Sequence, residues 1–189
     1  MRTLTCSLVL TVACHLAAAQ AADVDAGRSS ITVKVEKSGF FSAFAHNHTI
    51  QAPIASGKLD AEKRTAALTF NAKEMKVLDQ GVKDSERADI DQTMKSDKVL
   101  DVKRFPEIRF VSTSITPQDG GSYQVRGDLT LHGTTRPVEF PISFSKDRYT
   151  GSVKLKQTDF GIAPVSVAGG TVKVKDAIEI VFEIVPGRN

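Results

Sequence analysis

Two closely spaced histidines are the residues of this chain whose type and spacing point most directly to chemistry. His46 and His48 lie two apart in the segment FAHNH. On a β-strand both side chains point to the same face, where two imidazoles can bind one metal ion if a third ligand comes from elsewhere. Either imidazole can instead hydrogen-bond the polar head of an apolar ligand, since one placed polar group fixes orientation in an apolar pocket. The pair is therefore a candidate for either role.

The metal reading needs a third ligand, and no sequence pattern supplies one. His132 or a carboxylate such as Asp60 would have to complete the site, yet nothing in the sequence places either near the pair. Asp89 and Asp91 form an acidic pair that is typical of an exposed helix face. The chain has no GxSxG, P-loop or HExxH motif. The sequence thus predicts no catalytic site, and no metal site beyond the weak His46 and His48 candidates.

The first 21 residues have the pattern of a secretory signal peptide. Arg2 precedes an apolar run from Leu4 to Ala19, and small residues stand around Ala21. This pattern predicts cleavage near Ala21, a mature domain over residues 23–187, and a periplasmic or secreted location. Both cysteines of the chain lie within the signal. The mature protein is therefore expected to have no disulfide, no thiolate metal site and no cysteine nucleophile.

The charge of the chain is close to balanced. Its formal net charge is +3, and no dense basic block occurs, so nucleic acid is not an expected partner. Lysines on or near the predicted first and last strands could bring the protein to an anionic membrane surface. Glutamates between them favour an ordinary solvated face instead. The lysines in question are Lys34, Lys154, Lys156, Lys173 and Lys175.

The elements that must position these groups are β-strands. From about residue 30 onward, apolar and polar residues alternate, as in residues 138–145 and 178–185. This period of two predicts strands that bury one face and expose the other. Short turns between them predict an all-β, eight-stranded antiparallel up-and-down barrel, with a β-sandwich as the alternative architecture. Residues 82–100 lack the alternation and predict one or two short helices, and residues 157–171 predict a long loop.

Four motifs in this order resemble the YceI-like family. They are DAGRSSI at residues 25–31, MKSDKVLDVKRFPEIRFVSTSI at 94–115, GDLTLHGTTRPV at 127–138 and DFGI at 159–162. The resemblance implies a lipocalin-like barrel whose apolar tunnel binds an isoprenoid lipid of the quinone or polyprenyl type. It also implies a carrier or buffer without enzymatic activity, needing no cofactor other than a bound lipid, and a chain that can form a homodimer.

The inward rows of the strands are the expected tunnel lining. Alternation alone leaves open whether these side chains surround a ligand or pack against each other in a filled barrel that acts through a protein-interaction surface. The resemblance favours the ligand. The predicted lining consists of Leu68, Phe70, Ile108, Phe110, Leu129, Leu131, Phe140, Ile142, Phe144, Leu155, Ile180 and Phe182.

Two positions depart from the pattern of the family. Residues 39–48 carry a Phe-rich, His-containing stretch in place of the family's glycine-containing segment. Gln157 stands where the family has an arginine ahead of the DFGI motif. The first departure is expected to change the mouth of the tunnel and with it the specificity of this member.

Overall fold

The described part of the chain is all-β with one α-helix. The computed structural model describes residues 21–38, 47–167 and 172–188. The strands are β1 (Ala22–Asp23), β2 (Ser30–Ser38), β3 (His48–Gln51), β4 (Ile54–Asp60), β5 (Thr65–Asn71), β6 (Lys76–Val77), β7 (Glu107–Pro117), β8 (Ser122–Leu131), β9 (Thr134–Ser145), β10 (Arg148–Lys156), β11 (Ser166–Val167) and β12 (Val172–Ile184). Helix α1 spans Asp84–Lys95.

Helix α1 lies within the segment that lacked strand alternation, as predicted. Asp84 and Glu86 occupy its first turn and Lys95 its last, so the charges complement the helix dipole. Met94 is its buried residue and points to the sheet side. The helix begins after β6, and Asp91 accepts a hydrogen bond from the Val77 amide at 3.3 Å. These contacts dock the helix at one end of the sheet.

The strands form one curled antiparallel sheet, a half-barrel. Its hydrogen-bonded order is β1-β4-β5-β7-β8-β9-β10-β12-β2-β3-β6, with β11 paired to β12. Strands β3 and β4 are separated only by Ala52 and Pro53, yet they pair with β2 and β5 respectively. The sheet therefore curls because one bent stretch of chain joins its two sides.

In the described parts of the chain, no helix has both the length and the apolar character that a membrane crossing requires.

The predicted count of eight strands differs from the structure. The described residues form twelve strands, of which β1, β6 and β11 are only two residues long. Such short strands are missed by alternation, because two residues carry no periodic signal. The predicted loop over 157–171 begins with a 3-10 turn at Gln157–Phe160 and contains β11. Residues 168–171 lie outside the described residues.

Proline ends the pairing between β9 and β10. The two strands are joined by a turn at Lys146 and Asp147, both with positive φ, and pair only as far as Ile142 and Gly151. Counting from this two-residue turn, hydrogen-bonded and non-hydrogen-bonded pairs alternate, so Pro141 is the next residue that would have to donate. Proline has no N–H to donate, and Pro137, four residues earlier on the same strand, lacks the same donor. The two strands consequently separate over the rest of their length.

The DFGI motif anchors the end of the sheet where these strands separate. Phe160 and Ile162 are 2% and 4% exposed, respectively, while Gly161 between them has a φ of 73°. Glycine adopts this left-handed conformation at no steric cost, and it lets both flanking side chains enter the core. The Asp159 carbonyl accepts from Arg136 Nε at 2.9 Å, which ties the motif to β9. The motif thus has a structural role.

Candidate functional site

An elongated apolar cavity of about 610 Å³ lies inside the curled sheet. Inward residues of nine strands and of helix α1 line it. One end, here called the helix end, carries the start of β3 and β12 and residues of α1. The other, the turn end, carries the end of β4 and the starts of β5, β8 and β10. A volume of this size is typical of a small-molecule site.

Ten of the twelve predicted lining residues face this cavity. Phe110, Phe140 and Phe182 form its aromatic centre, with ring centroids 5.6 Å apart for the first pair and 5.5 Å for Phe140 and Phe182. The cavity also contradicts the alternative in which the inward rows fill the interior. The ten residues are Leu68, Phe70, Ile108, Phe110, Leu129, Leu131, Phe140, Ile142, Ile180 and Phe182.

Phe144 and Leu155 lie outside the cavity, so the prediction was wrong for their placement. Phe144 has the inward parity of β9 but lies at the end of the strand and is 41% exposed. Its ring packs against that of Tyr149, with the two ring centroids 4.6 Å apart. Leu155 is buried, yet it lines a cleft where β9 and β10 part, beside Pro137 and Val138. Parity predicts the face of a strand and not how far the cavity extends along it.

His48 lines the cavity at the helix end and is held by a buried carboxylate. Its Nδ1 lies 2.6 Å from Oδ2 of Asp79, whose side chain is 2% exposed. The other carboxylate oxygen, Oδ1, accepts from the Thr49 amide at 2.7 Å. The Asp79 carbonyl accepts from Arg87 Nη1 of α1 at 2.9 Å. Contacts from β3 and from α1 therefore hold Asp79 beside His48.

The structure brings the other histidines to different places or does not describe them. His46 lies outside the described residues, so its pairing with His48 stays a prediction. His132 sits in the β8–β9 turn with a φ of 51°; its Nδ1 lies 3.3 Å from the Phe160 carbonyl, and its ring contacts Phe105. Among residues 21–38, 47–167 and 172–188, no three His, Cys, Asp or Glu side chains cluster as metal ligands would.

Both tyrosines of the chain lie at the turn end of the cavity. Tyr123 starts β8 and Tyr149 starts β10, and each lines the cavity beside Ile142. Burial raises the pKa of the Tyr149 hydroxyl, and the neighbouring Tyr123 raises it further. Arg64 and Thr65 complete the polar rim at this end. The cavity is thus apolar along its length and polar at both ends.

Gln157 lines the helix end and is 7% exposed. Its Nε2 donates to the Lys175 carbonyl at 2.8 Å, which ties the turn after β10 to β12. Because a neutral amide occupies this position, the residue adds no charge to the cavity. The charged groups that do line the helix end have both signs and are Lys37, Glu86, Asp89 and Lys173.

Sequence reasoning missed Asp79, the tyrosines and the contribution of α1. Asp79 is 31 residues from His48, and no local motif links the two. Ile90, Thr93 and Met94 of α1 line the cavity, whereas the sequence predicted one or two short helices with an exposed charged side and assigned them no place in the site. The two apolar residues, four apart in a charged segment, were the available signal for a cavity-facing stripe.

Comparison with known proteins gives a consistent family. A family model described as the YceI-like domain matches residues 23–185. A UPF0312 protein of Pseudomonas putida (strain W619) is 32% identical over 153 residues, covering 75% of this chain and 71% of that protein. A UPF0312 protein of Pseudomonas syringae pv. tomato (strain DC3000) is 33% identical over 141 residues, covering 69% and 63%.

Solved structures share the fold at low sequence identity. Burkholderia cenocepacia BcnA matches with a TM-score of 0.61 at 20% identity, over 85% of this chain and 98% of that chain. The Campylobacter jejuni YCEI protein matches with a TM-score of 0.53 at 18% identity, over 74% and 82%. At these identities the likeness concerns the fold alone. The domain match over residues 23–185 and the Pseudomonas relatives establish that the chain belongs to the YceI-like family.

Proposed function

We propose that this protein binds a long isoprenoid lipid, of quinone or polyprenyl type, in its cavity and acts as a carrier or buffer. The observation that carries the proposal is the elongated cavity of about 610 Å³ with its apolar lining. Membership of the YceI-like family, known as a family of isoprenoid-binding proteins, supports the same ligand class. A flexible branched hydrocarbon matches a lining of Leu, Ile, Val and Phe side chains.

The energetics favour such a ligand. Burying ~400 Å² of lipid tail at ~25 cal/mol/Å² contributes about 10 kcal/mol before the costs of association. Lost translational freedom and ordering of the tail offset a large part of this gain. The ten inward residues are the proposed tail contacts, and His48 is the proposed polar contact for the head group. His46 is proposed to assist from the neighbouring segment.

The cellular setting belongs to the same proposal. The signal-peptide pattern supports a periplasmic or secreted protein, and membership of the YceI-like family supports a non-catalytic binding role. Contact with an anionic membrane surface would allow lipid exchange. The exposed lysines available for it are partly paired, since Lys34 lies 3.4 Å from Glu179 and Lys175 lies 2.6 Å from Glu36. Such contact would therefore be weak and transient.

A chain-length series tests the proposal. Prenyl alcohols of two, three, four and nine isoprene units are titrated into purified protein, and affinity is measured by native mass spectrometry. We expect affinity to rise at least several-fold for each added unit while the tail is still entering the cavity, because each buried methylene contributes about 0.8 kcal/mol before ordering costs. Affinity should level off once the cavity is full. An affinity that does not depend on chain length would contradict binding of the tail.

A further inference from the structure

The carboxylate of Asp79 has its two oxygens occupied by two different donors of β3. Oδ1 accepts from the Thr49 amide at 2.7 Å, and Oδ2 lies 2.6 Å from His48 Nδ1. The Asp79 side chain is 2% exposed, so water does not replace either partner readily. A backbone amide can only donate, so Oδ1 is committed to Thr49. The remaining oxygen is committed to the histidine.

This arrangement dictates which nitrogen of His48 carries a proton. An ionised carboxylate accepts hydrogen bonds and cannot donate them, so Nδ1 must be the protonated nitrogen. In the neutral ring Nε2 is then left with a lone pair and acts as an acceptor. Nδ1 is engaged by Asp79, so Nε2 is the hydrogen-bonding atom that remains for the cavity, which the His48 side chain lines while 20% exposed.

The surroundings of His48 do not favour an anionic ligand. Lys37 and Lys173 line the same end of the cavity, and Glu86 and Asp89 of α1 line it as well. Among the described residues, these two cations and two anions leave no excess of positive charge to stabilise a phosphate or carboxylate. Val35, the cross-strand neighbour of His48 on β2, is apolar and lines the same cavity. A neutral group able to donate a hydrogen bond fits this environment.

We propose that Asp79 is a positioning residue that holds His48 Nε2 as an acceptor and thereby selects an isoprenoid with a hydroxyl head. The proposal rests on the proposed function, because it assigns the head-group chemistry of the same cavity. A prenyl alcohol or a hydroquinone donates its O–H to Nε2. An ether or a quinone carbonyl offers only an acceptor and leaves Nε2 without a partner, which costs affinity.

The substitution Asp79→Asn tests the role of the carboxylate at almost constant shape. Asparagine has one carbonyl oxygen, and the Thr49 amide claims it, so the NH₂ group then faces His48 Nδ1. Nδ1 must accept from it, and the proton moves to Nε2, which becomes a donor. A positioning aspartate beside a histidine is expected to control the tautomer in this way. The head-group preference should change although the cavity does not.

The probes are geranylgeraniol and its methyl ether, which have the same tail and differ in the donor proton. Affinities of the native and variant proteins for both probes are measured under identical conditions. We expect the native protein to bind the alcohol about fivefold more tightly than the ether, the value of one hydrogen bond. In the Asp79→Asn protein the ratio should fall to about one, because the ether can now accept from Nε2.

The control is Asp91→Asn, another acid-to-amide change at an aspartate that accepts from a backbone amide but does not line the cavity. It should keep the native ratio. A purely structural role of Asp79 would weaken both probes equally and leave the ratio unchanged, which would overturn the proposal. If Asp79→Asn does not fold, His48→Phe must abolish the preference instead. Equal binding of the two probes by the native protein would refute the head-group inference alone, and binding of neither would also refute the proposed function.

Discussion

Replacing Ala66 with tryptophan is expected to weaken binding of a long isoprenoid at least tenfold. Ala66 lies on β5 and lines the cavity near its turn end, so an indole there occupies space that the lipid tail would use. Displacing one isoprene unit removes about five buried carbons, each of which contributes ~0.8 kcal/mol to binding. The smaller ordering cost of the shorter buried tail offsets part of this loss. Short prenyl alcohols, whose tails end before Ala66, should lose little.

The adjacent residue provides a matched control. Ala67 has the opposite parity on the same strand and does not line the cavity. Ala67→Trp therefore makes the same chemical change on the outer face and should bind all chain lengths as the native protein does. Titration of both variants by native mass spectrometry, with circular dichroism to confirm folding, gives the comparison. Equal losses in the two variants would place the ligand outside the cavity.

The largest loss of stability is expected from Phe160→Ala. The Phe160 side chain is 2% exposed and is one of the largest fully buried side chains among the described residues. Removing a buried phenyl ring destabilises a protein by about 3–5 kcal/mol, from lost burial and from the cavity that remains. The Phe160 carbonyl faces the His132 turn, so the damage should reach the β8–β9 hairpin. Urea unfolding measures the free energy of unfolding directly.

Phe144→Ala is the matched comparison. This ring is 41% exposed and lies outside the cavity, contrary to the prediction. Its truncation removes mainly the contact with Tyr149, worth about 1 kcal/mol. We therefore expect a shift in the urea midpoint several times smaller than that of Phe160→Ala. Similar midpoints for the two variants would contradict the burial that distinguishes the two rings.

The sequence predicted the faces of the strands well, because each inward row repeats with period two. Parity predicted that Phe110 and Phe140 lie on the inward face, and in the structure both line the cavity. The same rule failed for Leu155, where the strands part because Pro141 cannot donate to β10. The proline is visible in the sequence. Whether its position must donate a hydrogen bond to β10 depends on the strand register, which the turn between the two strands sets.

The polar parts of the site were harder to predict. His48 was a candidate because of its residue type, but the sequence suggested a metal partner or a ligand head and gave no sign of Asp79. Contacts between distant segments depend on how β6 docks on β3, which a single sequence does not encode in a local pattern. The same holds for Tyr123 and Tyr149, which meet only because β8 and β10 start at the same end of the sheet.

Native mass spectrometry of protein purified from its own membrane-containing lysate shows whether the cavity holds an isoprenoid lipid. We expect a non-covalent mass that organic solvent releases and that fragments as a prenyl chain, present in native protein and in Ala67→Trp but depleted in Ala66→Trp. Protein that carries only its polypeptide mass, or a metal that a chelator removes, would contradict binding of an isoprenoid lipid in the cavity.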